Sequence, residues 1–201
     1  MKILRRWALV VLAATLPLGA AHATLLNGTF GIAVYQGPGG GSIGAAASQA
    51  NDSNPLLLTT PLYTGQYTGD IDFNSPPAGN NIREFLLSAG GSLSGDSSAL
   101  DTTMSTGGFA LTTLLDITWT DPSLLGGTID HDDGASLYDD GGTVVDSSAP
   151  TVTIATAFAA TSGGNYRLIY AAANGLPEVL SVDITSVTRV PEPSVLALGW
   201  T

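Results

Sequence analysis

The sequence predicts an all-β chain: an antiparallel sandwich or jelly roll with one short helix around residues 80–89. Three observations carry this. Only 11% of the 201 residues are charged and 25 are Gly, so the long charged residues that favour helices are scarce and β-compatible residues dominate. Short β-prone runs recur at hairpin spacing with turn residues between them. And one acidic stretch, Gly127 to Asp146, contains two Asp-Asp-Gly triplets, Asp132-Asp133-Gly134 and Asp139-Asp140-Gly141, where Asp-Gly supplies the positive φ angles of tight hairpins. The length suits one domain with a proper core, and a hydrophobic content of 44% argues against disorder.

Residues 1–23 read as a secretory signal. Lys2, Arg5 and Arg6 form its positive start, and Trp7 to Leu18 its apolar centre, shorter than the roughly 20 residues of a membrane span. Ala21 and Ala23 are the small residues of the cleavage site. Residues 24–188 then form a single β-domain. Thr24 to Gln36 is a strand with Phe30, Ile32 and Val34 on one face. The Gly-rich loop after it gives nominal hits to a dinucleotide fingerprint (Gly39, Gly41, Gly44) and a nucleophile elbow around Ser42. Neither has the structural context its chemistry needs. Ala45 to Asn51 reads as a helical turn. Gln66 to Phe73 is a strand that buries Tyr67, Ile71 and Phe73. Asn81 caps the helix, Ile82, Phe85 and Leu86 form its apolar stripe, and Gly90-Gly91 stops it.

Ser92 to Ser105 is turn-rich, and Phe109 to Thr120 is a long strand. Around the two triplets we expect a double hairpin with strands at Thr128-Ile129, Leu137-Tyr138 and Thr143 to Val145. Its six acidic side chains should be solvated at the tips. Val152 to Thr161 (Val152, Ile154 and Phe158 inward), Tyr166 to Ala173 and Val179 to Val187 complete the sheets.

The formal net charge is −11, and removal of the signal leaves Arg83, Arg167 and Arg189 facing all 17 acids. Such a surface repels nucleic acid and anionic lipid and attracts divalent cations. Absence of cysteine excludes disulfides, thiolate metal sites and Cys nucleophiles. One histidine outside the signal, His131, cannot build a zinc cage and has no serine context for a triad. Carboxylate pairs across a cleft would suit glycoside hydrolysis, which their separation decides. Trp119, Tyr138, Tyr166 and Tyr170 read as core rather than as a sugar-stacking platform.

Two stretches resemble known families. Residues 189–201 contain Val190-Pro191-Glu192-Pro193-Ser194, which resembles the start of the PEP-CTERM sorting tail of exported Gram-negative bacterial proteins. The resemblance implies processing at that motif by an exosortase-type sorting machinery and delivery to the cell surface or extracellular matrix. The family tail continues into a span and a basic cluster. Here Val195 to Thr201 follow, so a truncated tail with no retained span is expected.

The run Asp132 to Asp146 is similar to the central signature of PA14-type β-domains, and Asn165 to Ala171 and Pro177 to Val182 to their closing strands. Asp139 stands where that family prefers an apolar residue. The resemblance implies that Asp132 and Asp133 hold a Ca²⁺ ion that in turn holds sugar hydroxyls. Asp130 and Asn174 are the nearest candidates for further oxygens. EF-hand spacing from Asp130 fails, because the twelfth residue is Gly141. The expectation is a non-enzymatic structural or adhesive β-domain of the cell surface or matrix, with Ca²⁺ as the one implied cofactor and extracellular polysaccharide as a partner. A Ca²⁺-dependent carbohydrate-binding module and a secreted glycoside hydrolase are the alternatives.

Overall fold

A computed structural model describes residues 22–38, 46–75, 79–160 and 164–186. The signal and its cleavage residue Ala21, the Gly-rich motifs at 39–44 and the sorting motif Val190 to Pro193 lie outside the described residues. Ala23 lies inside them, already in the first strand opposite Thr185.

The fold is the expected antiparallel β-sandwich. One sheet is built from β1 (His22–Leu25), β12 (Val179–Ser186), β7 (Leu124–Asp132) and β10 (Ile154–Ala159), with β4 (Asp72–Asn74) also paired to β12. The other runs in the order β5 (Ser92–Leu93), β3 (Tyr63–Asp70), β2 (Asn27–Pro38), β6 (Leu111–Thr120), β11 (Asn165–Ala172), β8 (Gly134–Asp139), β9 (Gly142–Ser147). The helix α1 (Ile82–Leu87) is capped by the Asn81 carboxamide on the Glu84 N–H and buries Ile82, Phe85 and Leu86, as the sequence predicts.

Three predicted features are corrected. The strand expected over residues 24–36 is two strands in different sheets, β1 and β2, and that over 66–73 likewise divides into β3 and β4. Both changes of sheet occur without a turn. The Leu26 N–H bonds to the Val182 carbonyl, the Ile71 N–H to the Leu26 carbonyl and the Val182 N–H to the Ile71 carbonyl, at 2.8–2.9 Å. The backbone stays satisfied through the switch, and the glycines nearest it, Gly28 and Gly69, sit within β2 and β3 opposite each other. The third correction matters most. β7 and β8 do not pair, since β7 lies in one sheet and β8 in the other. Asp132-Asp133-Gly134 is therefore a crossing between sheets and not a hairpin. The second triplet is a true turn, closing the β8–β9 hairpin.

Smaller differences have local causes. Phe109 is not in a strand but ends a single 3-10 turn at φ 59°. Val152, expected to face inward, is 76% exposed and precedes β10, of which Phe158 alone is buried.

The core lies between the sheets. A chain of aromatic rings runs through it: Tyr166 on Trp119, then Phe30, Tyr67, Phe73, Phe85 and Tyr170, with successive centroids 5.0–6.3 Å apart. Each buried ring stabilises the fold by about 2–3 kcal/mol through lost water contact, and each edge or offset pairing adds about 1 kcal/mol. Trp119, Tyr166 and Tyr170 are thus core, as predicted, whereas Tyr138, expected there too, is only half-buried. Ala47, Ala50 and Leu56 cover one end of the outer face of β6 and β11 over Leu114, Ile169 and Ala171, so those central strands are buried on both faces there and open toward Thr118 and Thr120.

Candidate functional site

The last ring of the aromatic chain, Tyr170, ends at the crossing between β7 and β8. Its hydroxyl donates to the main-chain carbonyl of Asp132 and lies 3.2 Å from Glu178 Oε2. Here the chain turns from one sheet to the other through a cis Asp132–Asp133 peptide. Gly134 follows because nothing larger fits: a Cβ there would lie 2.3 Å from the Ser148 carbonyl oxygen.

The two carboxylates are held firmly by one oxygen each. Asp132 Oδ2 accepts from the Thr153 hydroxyl at 2.8 Å. Asp133 Oδ2 accepts from the N–H groups of Ala173 and Asn174 at 2.8 and 2.9 Å. The Oδ1 atoms accept no hydrogen bond among the described residues, and neither is a sealed unsatisfied atom. The residues are only 8% and 3% exposed, which overturns the expectation of solvated acids at hairpin tips. They line a cleft of about 390 Å³ with Phe109, Pro150, Val152, Leu176 and Pro177 on its walls.

No cation compensates this pair among the described residues: Arg83 bonds to Asp101 and Arg167 to Asp116. Burial, with the neighbouring Asp132 charge adding to it, pushes the Asp133 carboxyl above the usual carboxylate range, against the two N–H donors that lower it.

A third acid sits behind the pair. Glu178 is fully buried, and burial first, then the charges of Asp133 and Asp132, push its carboxyl up to about 8. The contacts accommodate the protonated acid. Ser105 donates to Glu178 Oε1 and accepts from the Gly175 N–H at 3.0 Å. Tyr170 lies within hydrogen-bond reach of both the Asp132 carbonyl and Glu178 Oε2 and has one proton to give, so a protonated Glu178, donating to the phenol oxygen, lets both contacts be satisfied at once. Glu178, Tyr170 and Asp132 form one directed chain of hydrogen bonds. Being sealed from the cleft, Glu178 cannot hand that proton to a molecule bound there.

His131 is structural. Its Nδ1–H donates to the Asp133 carbonyl at 2.7 Å, and its Nε2 accepts from the Thr156 hydroxyl at 3.0 Å, the tautomer a carbonyl partner demands. Asn174 reaches the pair through its backbone N–H, while its carboxamide oxygen accepts from the Gly108 N–H at 3.1 Å. That bond anchors the turn in which Phe109 takes a left-handed backbone, a conformation that costs about 1–3 kcal/mol outside Gly. The strain aims no residue at the core; it leaves Phe109 on the cleft wall.

Of the four residues the sequence nominated, the fold brings Asp132, Asp133 and the Asn174 backbone together. Asp130 does not join them: it sits within β7 between Ala155 and Ser181, and no three His, Cys, Asp or Glu gather as a metal cluster among the described residues. Thr153, Phe109, Tyr170 and Glu178 carry no local signal of their roles. The only hint is an acid directly before an apolar strand at Glu178-Val179-Leu180.

The donor set is two carboxylates with one unclaimed oxygen apiece, uncompensated and open to a cleft. It suits a hard divalent cation, which takes oxygen ligands from flexible loops. The remainder of the six to eight oxygens of a Ca²⁺ shell would come from loop carbonyls, water or a ligand's hydroxyls.

No family model and no curated protein matches the sequence. Among solved structures the chain is similar to the PA14 domain of the MpAFP antifreeze protein, with 14% identity and a TM-score of 0.53 over 83% of this chain and 85% of that one. It is also similar to the PA14 sugar-binding domain from an RTX adhesin, with 13% identity and a TM-score of 0.48 over 80% of this chain and 98% of that one. The GH31 alpha-xylosidase from Xanthomonas citri aligns at 10% identity and a TM-score of 0.34, over 84% of this chain and 14% of its own. At such identities the likeness to the antifreeze-protein domain is one of architecture: the chain has the two-sheet antiparallel fold of a PA14 domain.

Proposed function

We propose that this chain is a non-enzymatic adhesive β-domain of an exported bacterial surface or matrix protein, and that it binds carbohydrate through a Ca²⁺ ion held on Asp132 and Asp133. One observation carries the reading. Two adjacent, nearly buried carboxylates each keep one oxygen unclaimed at the floor of an open cleft, with no cation beside them among the described residues. Bound there, Ca²⁺ would neutralise the pair and offer open coordination positions to vicinal sugar hydroxyls. The chain's own residues fix the pair beforehand. Thr153, Ala173 and Asn174 orient the carboxylates, while Tyr170 and His131 hold the two carbonyls. Phe109, Val152 and Leu176 form walls that shed water from the sugar.

The sugar-binding description of the RTX adhesin domain is in keeping with this reading without supplying it. Export by the N-terminal signal and sorting through Val190 to Pro193 by an exosortase-type machinery belong to the same proposal. They rest on the sequence motifs alone. A glycan array probed with the full chain in Ca²⁺ buffer, in chelator, and as the D132N/D133N variant tests it. Ca²⁺-dependent spots that vanish in chelator and in the variant are expected; spots indifferent to both would overturn it.

A further inference from the structure

We propose that the outer face of the seven-stranded sheet carries a second binding site, for a neutral polysaccharide chain, that needs no metal ion. A groove of about 720 Å³ crosses four adjacent strands there. It shares no lining residue with the acidic cleft. The register makes its floor. Thr118 of β6, Arg167 of β11 and Tyr138 of β8 stand in one row across the sheet. Thr120 and Asn165 stand opposite each other in the next, and Thr29 of β2 lines the far side. Strands about 4.8 Å apart put the outer two roughly 14 Å from each other, room for two to three pyranose rings laid across the strands. Gly31 lies beside this floor, opposite Thr118. A Cβ at that position would lie 2.6 Å from the Thr118 hydroxyl, so the glycine keeps that hydroxyl free of crowding.

The chemistry of the lining selects the occupant. Its charges are already engaged inside the protein. Arg167 places Nε and Nη2 on Asp116, each at 2.8 Å, and Asp140 takes the backbone and carboxamide N–H groups of Asn165 at 3.1–3.2 Å. Asp139 accepts from the Gly141 N–H at 2.7 Å. Among the described residues no unpaired cation is offered to an anionic ligand, and a chain of net charge −11 repels uronates, phosphates and nucleic acid. What faces outward instead is the Thr118 hydroxyl, both donor and acceptor, beside the half-buried ring of Tyr138; Thr120 donates to Asn165 Oδ1 and Thr29 pairs with Thr68, each at 3.0 Å, so these two keep lone pairs for an incoming hydroxyl. That ring is fixed by the Asp52 N–H, which donates to its hydroxyl at 3.1 Å. Hydroxyls and one carboxamide grouped around an anchored ring match the alternating C–H faces and hydroxyl edges of a neutral sugar chain. They match neither a lipid nor an apolar peptide face.

The test is titration calorimetry of the full chain, in chelator throughout, with hexasaccharides of a neutral glucan, galactan and mannan and with a polyuronate of equal length. Binding of at least one neutral chain and not of the polyuronate is expected. That binding should persist in D132N/D133N, so the result is independent of the acidic cleft. Thr118→Val and Tyr138→Ala should each weaken it about tenfold, the scale of one lost contact. Because Tyr138 also packs under the loop over β6 and β11, Thr118→Arg, an exposed change that fills the floor, provides the block that does not depend on its removal. Failure of every neutral chain to bind, equal binding of the polyuronate, or binding untouched by Thr118→Arg would overturn the proposal.

Discussion

Glu178→Gln isolates the buried proton behind the acidic pair. In the folded chain the Glu178 carboxyl is raised from 4.5 to about 8, burial being the main cause. Below about pH 4.5 the group is protonated in both states, and its contribution to stability is whole. As pH rises from there, the unfolded chain releases the proton while the folded chain keeps it. The folded state then binds more protons, and stability falls until the folded group itself ionises near pH 8. Each pH unit between those two values is worth about 1.4 kcal/mol, so the full loss is on the order of 5 kcal/mol, comparable with the whole stability of a typical domain.

The glutamine amide copies the protonated acid. Its oxygen can accept from Ser105 and its NH₂ can donate to Tyr170, the two partners Glu178 has now. It has no proton to lose. Urea unfolding of wild type and variant in chelator at pH 5, 6, 7 and 8 measures the difference, with the raised Asp133 carboxyl common to both. The two should be within about 1 kcal/mol at pH 5, and the variant should gain steadily on the wild type above that, by a few kcal/mol at pH 8. A difference that stays flat across this window would refute the protonated Glu178–Tyr170–Asp132 chain.

Two further changes probe the same crossing. Tyr170→Phe removes the hydroxyl that satisfies the Asp132 carbonyl and bonds Glu178, while the ring keeps its place against Phe85. We expect a loss of about 1–3 kcal/mol in urea unfolding, with the melting cooperativity retained. Gly134→Ala places a methyl against the Ser148 carbonyl. It should cost about 1–3 kcal/mol and reduce Ca²⁺ affinity, because the Ser148 carbonyl is held by the Ala50 N–H at 2.8 Å and the clash is relieved by displacing residue 134, the neighbour of Asp133.

Much of the fold was legible because it rests on alternation. Leu180, Val182 and the Phe30-Ile32-Val34 row face the core as their period of two requires, and Asn81, Ile82, Phe85 and Leu86 mark the helix at its true place. The sheet switches at Leu26 and Ile71 were hidden, since a chain that passes between sheets with its hydrogen bonds intact keeps its alternation and needs no turn residue.

The two Asp-Asp-Gly triplets show the same limit. Asp139-Asp140-Gly141 is the hairpin it resembles, and Asp132-Asp133-Gly134 is not, though the local chemistry is alike. What separates them is distant: Thr153, Ala173, Asn174 and Tyr170 reach the first triplet from 21 to 41 residues away and bury it. Sequence proximity nominated Asp130 for the same site, but a neighbour within a strand does not follow the chain around the crossing. Glu178 went unseen for the converse reason, because only its three-dimensional surroundings make it different from the other acids.

The most direct test of the acidic pair as a cation site is calorimetric titration of Ca²⁺ into the full chain at neutral pH, beside D132N/D133N. Saturable uptake of one ion by the wild type, a raised melting temperature with Ca²⁺ present, and loss of both in the variant are expected. Absence of heat and of any melting shift in the wild type, or equal uptake by the variant, would contradict a cation site there.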